Sequence, residues 1–237
     1  MAVKREIAGK PYRHELKYVV SEGEHKLLAT RLKACLKQDY YASLGGGEYF
    51  IRSLYFDDPF DSAVADKTDG TGSRDKFRIR IYNLSDSTIK LERKHKEGQY
   101  IKKDSVSLSR AECDAIVRGN LECLLKREEP FARQMYGIFK ANYIRPKVIV
   151  DYMREPYVFS SEEVRVTFDK DVRTAMRSTD LFNPNLVTLP VWDLRGCMIL
   201  EVKFNESLPQ YVQELLTVGA AERTAASKYV YCRQYEF

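Results

Sequence analysis

Apolar and polar residues alternate in many short segments of the chain, which is typical of strands that bury one face. In FRIRI (77–81), two arginines face one way and three apolar residues face the other. The pattern predicts strands over eight ranges: Tyr12–Val20, Glu48–Phe56, Lys76–Tyr82, Ser87–Lys96, Gln99–Leu108, Lys147–Arg154, Glu163–Asp169 and Met198–Phe204.

Helical segments are predicted between these strands. Ser21 and Glu24 have the spacing of a capping box at a helix start. The predicted helices run from Ser21 to about Leu36, over Pro59–Lys67, Ser109–Val117 and Leu121–Lys140, and from near Pro209; the chain closes with Ser227–Tyr235. Hairpins and short helices imply antiparallel pairing, and closure of such a sheet removes its edges. We therefore predict an α+β fold, a closed antiparallel β-barrel with external helices, in a single domain over residues 1–237.

Lysine and arginine dominate the polar face of the predicted strands. Glu201 and Lys203, for example, share a face opposite Leu200, Val202 and Phe204. The same alternation groups Arg13 with Glu15 and Lys17, Arg78 with Arg80, Lys90 with Glu92 and Lys94, Lys103 with Ser105 and Ser107, and Arg165 with Thr167 and Asp169. A face that is merely solvated usually mixes uncharged residues with both signs of charge, whereas here the acids are few.

The direction of these basic faces decides their meaning. If external helices cover the apolar face, the charged face points into the barrel, where like charges repel by several kcal/mol unless an anion or internal acids compensate. The expected ligand is a narrow polyanion, and the forked donors of Arg and the point charge of Lys suit phosphate oxygens. The alternation is also consistent with a polar face that is simply exposed to solvent.

Composition narrows the class of protein. The 237 residues are 44% hydrophobic and 31% charged, and the net charge of +5 is mild for a nucleic-acid binder, so no nucleic acid is expected. Five scattered cysteines form no CxxC pair, which suits a reducing cytoplasm. The sequence shows no signal peptide and no apolar run of roughly 18 residues. We expect a cytoplasmic protein without a membrane segment.

Several segments together resemble the catalytic domain of the vacuolar transporter chaperone (VTC) polyphosphate polymerases, a branch of the CYTH-like triphosphate tunnel metalloenzymes. The matching segments are RHELKY (13–18), RSLYFD (52–57), FRIR (77–80), LERK (91–94), VRVTFD (164–169), LEVK (200–203) and SKY (227–229). They occur in the family's order and cover nearly the whole chain, and the ordered set is more specific than any one segment.

The resemblance implies a tunnel of about eight antiparallel strands that binds a triphosphate together with a divalent metal, Mn²⁺ or Mg²⁺. By position, the phosphate-binding and catalytic residues are Lys17, Arg78, Arg80, Lys94, Lys103, Arg154, Arg165, Lys203 and Lys228. Arg52 and Lys90 are further candidates for phosphate or nucleotide binding, although Arg52 could instead be a structural partner of an acid such as Asp57. Glu201 is the implied metal ligand. Glu15 and Glu92 are the further candidates for metal binding, because they lie on the same faces of their strands as the basic residues.

One departure from the family pattern bears on the reaction. The wider tunnel group carries ExExK in its first strand, whereas this chain has Arg13 in place of the first glutamate. One carboxylate fewer removes one potential metal ligand, and with it a means of activating water. The eukaryotic polymerases also carry an inositol-phosphate-sensing domain and membrane helices; we expect neither within these residues.

Three functions follow as expectations. The first is a polyphosphate polymerase that transfers the γ-phosphoryl group of ATP to a polyphosphate chain, with ATP and inorganic tri- or polyphosphate as partners. The second is a metal-dependent triphosphatase that acts on inorganic triphosphate or nucleotides. The third is a polyphosphate-binding module without catalysis.

Overall fold

The computed structural model describes residues 13–98, 100–159, 164–217 and 223–234. The strands are β1 (His14–Ser21), β2 (Lys37–Gln38), β3 (Tyr49–Asp57), β4 (Ser73–Tyr82), β5 (Ser85–Glu97), β6 (Tyr100–Leu108), β7 (Arg145–Phe159), β8 (Val164–Met176), β9 (Leu189–Pro190) and β10 (Cys197–Phe204). The helices are α1 (Glu22–Cys35), α2 (Tyr40–Leu44), α3 (Ser62–Thr68), α4 (Arg110–Val117), α5 (Glu122–Leu125), α6 (Pro130–Ala141), α7 (Gln210–Leu216) and α8 (Lys228–Arg233), and a 3-10 helix covers Trp192–Leu194.

The eight predicted strands correspond to β1, β3–β8 and β10. Tyr12, Gln99, Glu163 and Tyr235, at the ends of predicted segments, lie outside the described residues. The capping box is confirmed, since the Glu24 amide donates to Ser21 Oγ at 3.3 Å and the Ser21 amide donates to Glu24 Oε2 at 2.8 Å. The prediction of one helix over Leu121–Lys140 is wrong. It divides into α5 and α6 because Pro130, which lacks a backbone N–H, is placed at the first turn of α6.

The strands form one antiparallel sheet in the order β1-β10-β8-β7-β3-β4-β5-β6, with β2 beside β7 and β9 beside β8. The sheet curls, so that its first and last strands approach each other. Arg13, just before β1, bridges Ile101 of β6, with backbone N–O distances of 3.1 and 3.2 Å. The prediction of an antiparallel barrel is therefore confirmed in its pairing and curvature.

Full closure of the barrel is not observed. Further along β1, the free edge is occupied by the C-terminal segment: Tyr18 bridges Arg223, and the Thr224 amide donates to the Lys17 carbonyl at 2.8 Å. Because this segment takes the hydrogen-bonding positions that β6 would need, the described residues of β1 and β6 meet only near Arg13. The predicted closed barrel is thus corrected to a curled sheet that is not fully closed.

Helices cover the convex face, as predicted. One buried cluster joins α4, α5 and α6 to β3–β6, with Phe56, Ile79, Met135 and Phe139 among its members. A second cluster joins α1 and α7 to β7, β8 and β10 through side chains such as Leu32. Since both clusters use the apolar residues of the alternating strands, the lysines and arginines between them face the concave side.

Helix α8 packs against the concave face and was not predicted to lie there. The Tyr229 ring stacks on Tyr55 at 5.0 Å between centroids, and its hydroxyl donates to Asp57 at 2.6 Å. Tyr229 and Cys232 belong to an apolar cluster with Val148 and Val150 of β7. The concave face therefore has an apolar part, filled by α8, as well as a charged part.

Candidate active site on the concave face

Glu201 on β10 lies at the centre of the charged part of the concave face. Lys203 Nζ and Lys228 Nζ donate to its carboxylate at 2.8 and 3.0 Å, and Lys17 Nζ lies 3.2 Å away. Burial opposes ionisation of Glu201, but Lys17, Lys203 and Lys228 outweigh it and hold the pKa of this carboxyl well below its usual range. The carboxylate is thus charged and surrounded by cations that come from three separate elements.

Asp169 on β8 adds a second buried carboxylate beside Glu201. Arg154 donates to it through two nitrogens, at 2.7 and 2.8 Å, and Lys228 Nζ contacts it as well. The sequence reasoning did not select Asp169 as a site residue. Its alternation with Arg165 and Thr167 was the signal that could have found it.

Glu15 on β1 lies between Lys17 and Lys94. Lys94 Nζ donates to Glu15 Oε2, and Lys17 Nζ lies 3.6 Å from Oε1. Glu15 Oε1 is buried and has no hydrogen-bond partner. Because Lys94 belongs to β5, this carboxylate joins opposite sides of the curled sheet.

Glu92 on β5 organises a separate group of cations. Arg78 Nε donates to it at 2.7 Å, Arg80 Nη1 lies 3.8 Å away, and Lys103 Nζ is in contact. Hydroxyl groups fix both guanidinium groups: Arg78 donates to Tyr55 at 2.9 Å, and Arg80 donates to Tyr152 at 3.0 Å. The arginines are therefore oriented before any ligand binds.

Two further predicted residues occupy more open positions. Arg165 donates to Asp39 at 3.0 Å and to the Tyr49 hydroxyl at 3.1 Å, so β8 is tied to the start of α2. Lys90 donates to the hydroxyl of Ser107 at 2.7 Å. Both face the concave side by the register of their strands.

Arg52 faces the other way, and its assignment to the phosphate-binding set is corrected. Its guanidinium donates to Asp151 at 2.8 and 2.7 Å and to the Asn183 carbonyl at 2.6 Å, on the convex side. Arg52 is a structural partner of an acid, as the alternative interpretation predicted, but that acid is Asp151 rather than Asp57. Since β3 is buried on both faces, its alternation does not reveal which residues point inward.

Cations outnumber acids on the concave side. Among the described residues, the carboxylates of the charged part are Glu15, Glu92, Asp169 and Glu201. The basic side chains around them are more numerous and include Lys17, Lys76, Arg78, Arg80, Lys90, Lys94, Lys103, Arg154, Arg165, Lys203 and Lys228. Burial lowers the pKa of Lys94 to about 8 although Glu15 opposes the shift. A side chain whose charge is disfavoured in this way gains from a nearby anion. The surplus of positive charge favours a polyanionic ligand.

The predicted metal ligands are only partly brought together. Glu15 and Glu201 both flank Lys17, whereas Glu92 lies among Arg78, Arg80 and Lys103. Among the described residues, no group of three or more His, Cys, Asp or Glu side chains could hold a metal ion. Mg²⁺ often takes only one or two carboxylates and completes its ligands with phosphate oxygens. The buried Oε1 of Glu15, which accepts no hydrogen bond, and the nearby carboxylate of Glu201 fit such a site.

The described residues thus form a curled antiparallel sheet of tunnel-like shape, with a basic concave face and a few paired carboxylates. The sequence model of the VTC domain matches residues 12–237, and the chain therefore belongs to the VTC domain family. This confirms the resemblance and supports a triphosphate-tunnel class of protein.

Among solved structures, the chain is similar to the PH1819 protein of Pyrococcus horikoshii OT3, with 12% identity, a TM-score of 0.48, and coverage of 95% of this chain and 100% of that one. It is also similar to the PH1012 protein of the same organism, with 12% identity, a TM-score of 0.47, and coverage of 93% and 98%. The search of curated proteins found no match. In the part of the chain that the structure describes, no helix has the length and apolar character needed to cross a membrane.

Proposed function

We propose that this protein is a metal-dependent polyphosphate polymerase, which transfers the γ-phosphoryl group of ATP to the end of a polyphosphate chain. The observation that supports it is the surplus of cations over carboxylates on the concave face of a VTC-family sheet. Both the donor and the acceptor of this reaction are polyphosphates. One continuous basic surface can therefore hold them end to end.

The reaction requires positioning and charge neutralisation more than proton transfer. A terminal phosphate of the acceptor is mostly ionised at neutral pH, because its second pKa is about 6. Hydrogen bonds fix the guanidinium groups of Arg78, Arg80 and Arg154 in place. These groups can therefore neutralise the phosphoryl oxygens without a rearrangement of the protein. With donor and acceptor aligned, an oxygen of the terminal acceptor phosphate forms a bond to the γ-phosphorus while the bond to the β–γ bridging oxygen breaks, and ADP leaves.

Glu201 and Glu15 would hold the divalent metal, Mn²⁺ or Mg²⁺. A bound divalent ion supplies charge neutralisation on the phosphate oxygens of ATP. In this arrangement Lys17 and Lys203, which now pair with the two acids, are free to turn toward phosphate oxygens. The carboxylates and lysines would thus exchange partners on binding of the metal and nucleotide.

Hydrolysis is the second candidate, and the electrostatics disfavour it. A triphosphatase needs a group that activates water, and a carboxylate is a weak base when its pKa is low. Cations outweigh burial at Glu15, Glu92 and Glu201 and hold the pKa of each well below its usual range. Transfer to an acceptor that is already ionised avoids this requirement.

One assay separates the candidates. Protein is incubated with ATP and Mn²⁺, and both long-chain polyphosphate and free orthophosphate are followed over time. Polymer is the expected product. Orthophosphate alone would identify a triphosphatase, and binding of polyphosphate without either product would identify a binding module.

A further inference from the structure

The short helix α2 is attached to the rim of the basic concave face. Asp39 caps this helix, since its carboxylate accepts from the Tyr41 amide at 3.0 Å. The same carboxylate accepts from Arg165 on β8, also at 3.0 Å. Ala42 is fully buried in the apolar cluster that includes Tyr49. An ion pair and apolar packing therefore hold α2 against the sheet.

Two exposed aromatic rings begin this helix. Tyr40 is 70% exposed and Tyr41 is 73% exposed, although both side chains are large and mostly apolar. The centroids of the two rings lie 5.5 Å apart, and their planes are inclined by 74°. The rings therefore form an open corner, in which a flat aromatic group can stack on one ring while its edge meets the other.

Arg165 connects this corner to the centre of the site. Its side chain is 38% exposed, whereas that of Lys228, which contacts Glu201, is 6% exposed. Strand register places Lys203 of β10 directly opposite Arg165, and Lys203 donates to Glu201. A row of polar groups therefore leads from buried Glu201 through Lys203 and Arg165 to α2.

The two halves of a nucleoside triphosphate match the two ends of this row. Its phosphates are anionic and suit the buried cations, whereas its base is flat and uncharged and suits exposed aromatic rings. With the γ-phosphate beside Glu201, the α-phosphate lies toward Arg165 and the base lies one ribose further out. Tyr40 and Tyr41 follow Asp39 directly, so their Cα atoms lie within about 7 Å of the Cα atom of Asp39. The rings are thus within reach of a base whose α-phosphate contacts Arg165.

We propose that Tyr40 and Tyr41 form a stacking site for the nucleobase of the triphosphate donor. The inference rests on the proposed function, in which the donor is a nucleoside triphosphate, and it assigns the part of that substrate that carries no charge. Stacking tolerates different bases, because every base has a π-face, and any preference follows from the strength of stacking. The site should therefore favour the larger purines over pyrimidines and discriminate little between adenine and guanine.

The test separates recognition of the base from recognition of the phosphates. Y40A/Y41A removes both rings, and Y40F/Y41F keeps the rings and removes their hydroxyl groups. F60A/Y143A removes two exposed aromatic rings outside α2 and serves as the matched control. Calorimetry in the absence of divalent metal, which prevents turnover, measures binding of ATP, GTP, CTP and inorganic triphosphate to each protein.

The expected loss is confined to the nucleotides. Y40A/Y41A should bind ATP and GTP about tenfold more weakly than the wild-type protein does and should lose the preference for purines over CTP. Its affinity for inorganic triphosphate should be unchanged. Y40F/Y41F and the control F60A/Y143A should bind all four ligands as the wild-type protein does.

Other results would overturn the inference. Unchanged ATP affinity in Y40A/Y41A would exclude the rings from the nucleotide site, and equal losses of ATP and triphosphate affinity would show that α2 acts only through Arg165. Self-association of the wild-type protein that Y40A/Y41A abolishes, with ATP affinity unchanged, would assign the rings to a second copy of this chain. Synthesis from ATP is measured in parallel. Binding that depends on the base without polymer synthesis would refute the polymerase and leave the stacking site standing.

Discussion

The two faces of the sheet both bury charged side chains, but they balance them differently. On the convex face Arg52 pairs with Asp151 through two hydrogen bonds, and Glu155 is matched by Lys170 at 3.1 Å. On the concave face the basic residues outnumber the carboxylates in the part of the chain that the structure describes. Matched charges of this kind hold a fold together, whereas a surplus of one sign indicates a ligand of the other sign.

Paired alanine substitutions at Arg52 and Arg78 provide the strongest test of this contrast. Arg52→Ala leaves Asp151 buried without its partner, so we expect a loss of about 3–5 kcal/mol in the free energy of unfolding. The activity of the remaining folded protein should be normal. Arg78→Ala leaves Glu92 with Arg80 and Lys103, so stability should change by about 1 kcal/mol or less, while activity falls about 100-fold.

Denaturant unfolding and polymer synthesis, measured on both variants, check these expectations. The contrast between the faces fails if Arg78→Ala unfolds as readily as Arg52→Ala and retains normal specific activity. In that case Arg78 is structural.

Glu201→Gln tests the acids within the basic surface. The substitution keeps the shape of the side chain and removes the charge that a divalent ion needs. We expect turnover to fall about 100- to 1,000-fold with weaker dependence on Mn²⁺, while triphosphate binds as tightly as before or more tightly. Steady-state kinetics over a metal titration, with calorimetry of triphosphate binding, measure both effects.

Glu92→Gln is the comparison for that substitution. Glu92 lies apart from Glu15 and Glu201, so its loss should leave the metal dependence unchanged. If Glu201→Gln keeps its turnover while Glu92→Gln loses both activity and metal response, the metal site lies at Glu92 instead.

The smallest expected effect is a proton taken up with the ligand. Burial lowers the pKa of Lys94 to about 8, below the usual value of a lysine, and a bound polyanion favours the charged form. At pH 8 we therefore expect binding of triphosphate to take up about half a proton at this residue, and affinity to fall as the pH rises above 8. Calorimetry in two buffers with different ionisation enthalpies measures the uptake.

The same pKa has a consequence for stability. Between pH 8 and the ordinary lysine pKa of 10.5, the unfolded chain binds more protons at Lys94 than the folded chain does, so this residue makes the free energy of unfolding rise with pH in that window. Lys94→Arg, which keeps the charge, should show neither the uptake nor the rise. Equal proton uptake by Lys94→Arg and the wild-type protein would assign the effect to another group.

The sequence by itself determined the strands and the orientation of most of their side chains. Successive side chains on a strand point to opposite faces, so the apolar residues of FRIRI (77–81) specify that Arg78 and Arg80 share the opposite face, and the cover of helices over the apolar face makes that face the concave one. The capping box at Ser21 is likewise local, because its donors and acceptors lie three residues apart. The family resemblance followed from the same short segments.

Only the tertiary structure decided the facing of Arg52, the pairing of the carboxylates and the position of α8. Both faces of β3 are buried, so alternation gave no direction for Arg52, and its partner Asp151 lies 99 residues away in sequence. Whether the sheet closes also depends on residues that are far apart in the sequence. The C-terminal segment occupies the edge of β1 that β6 would otherwise use, and competition for one strand edge depends on contacts between the two ends of the chain. Periodicity within a segment carries no information about such contacts.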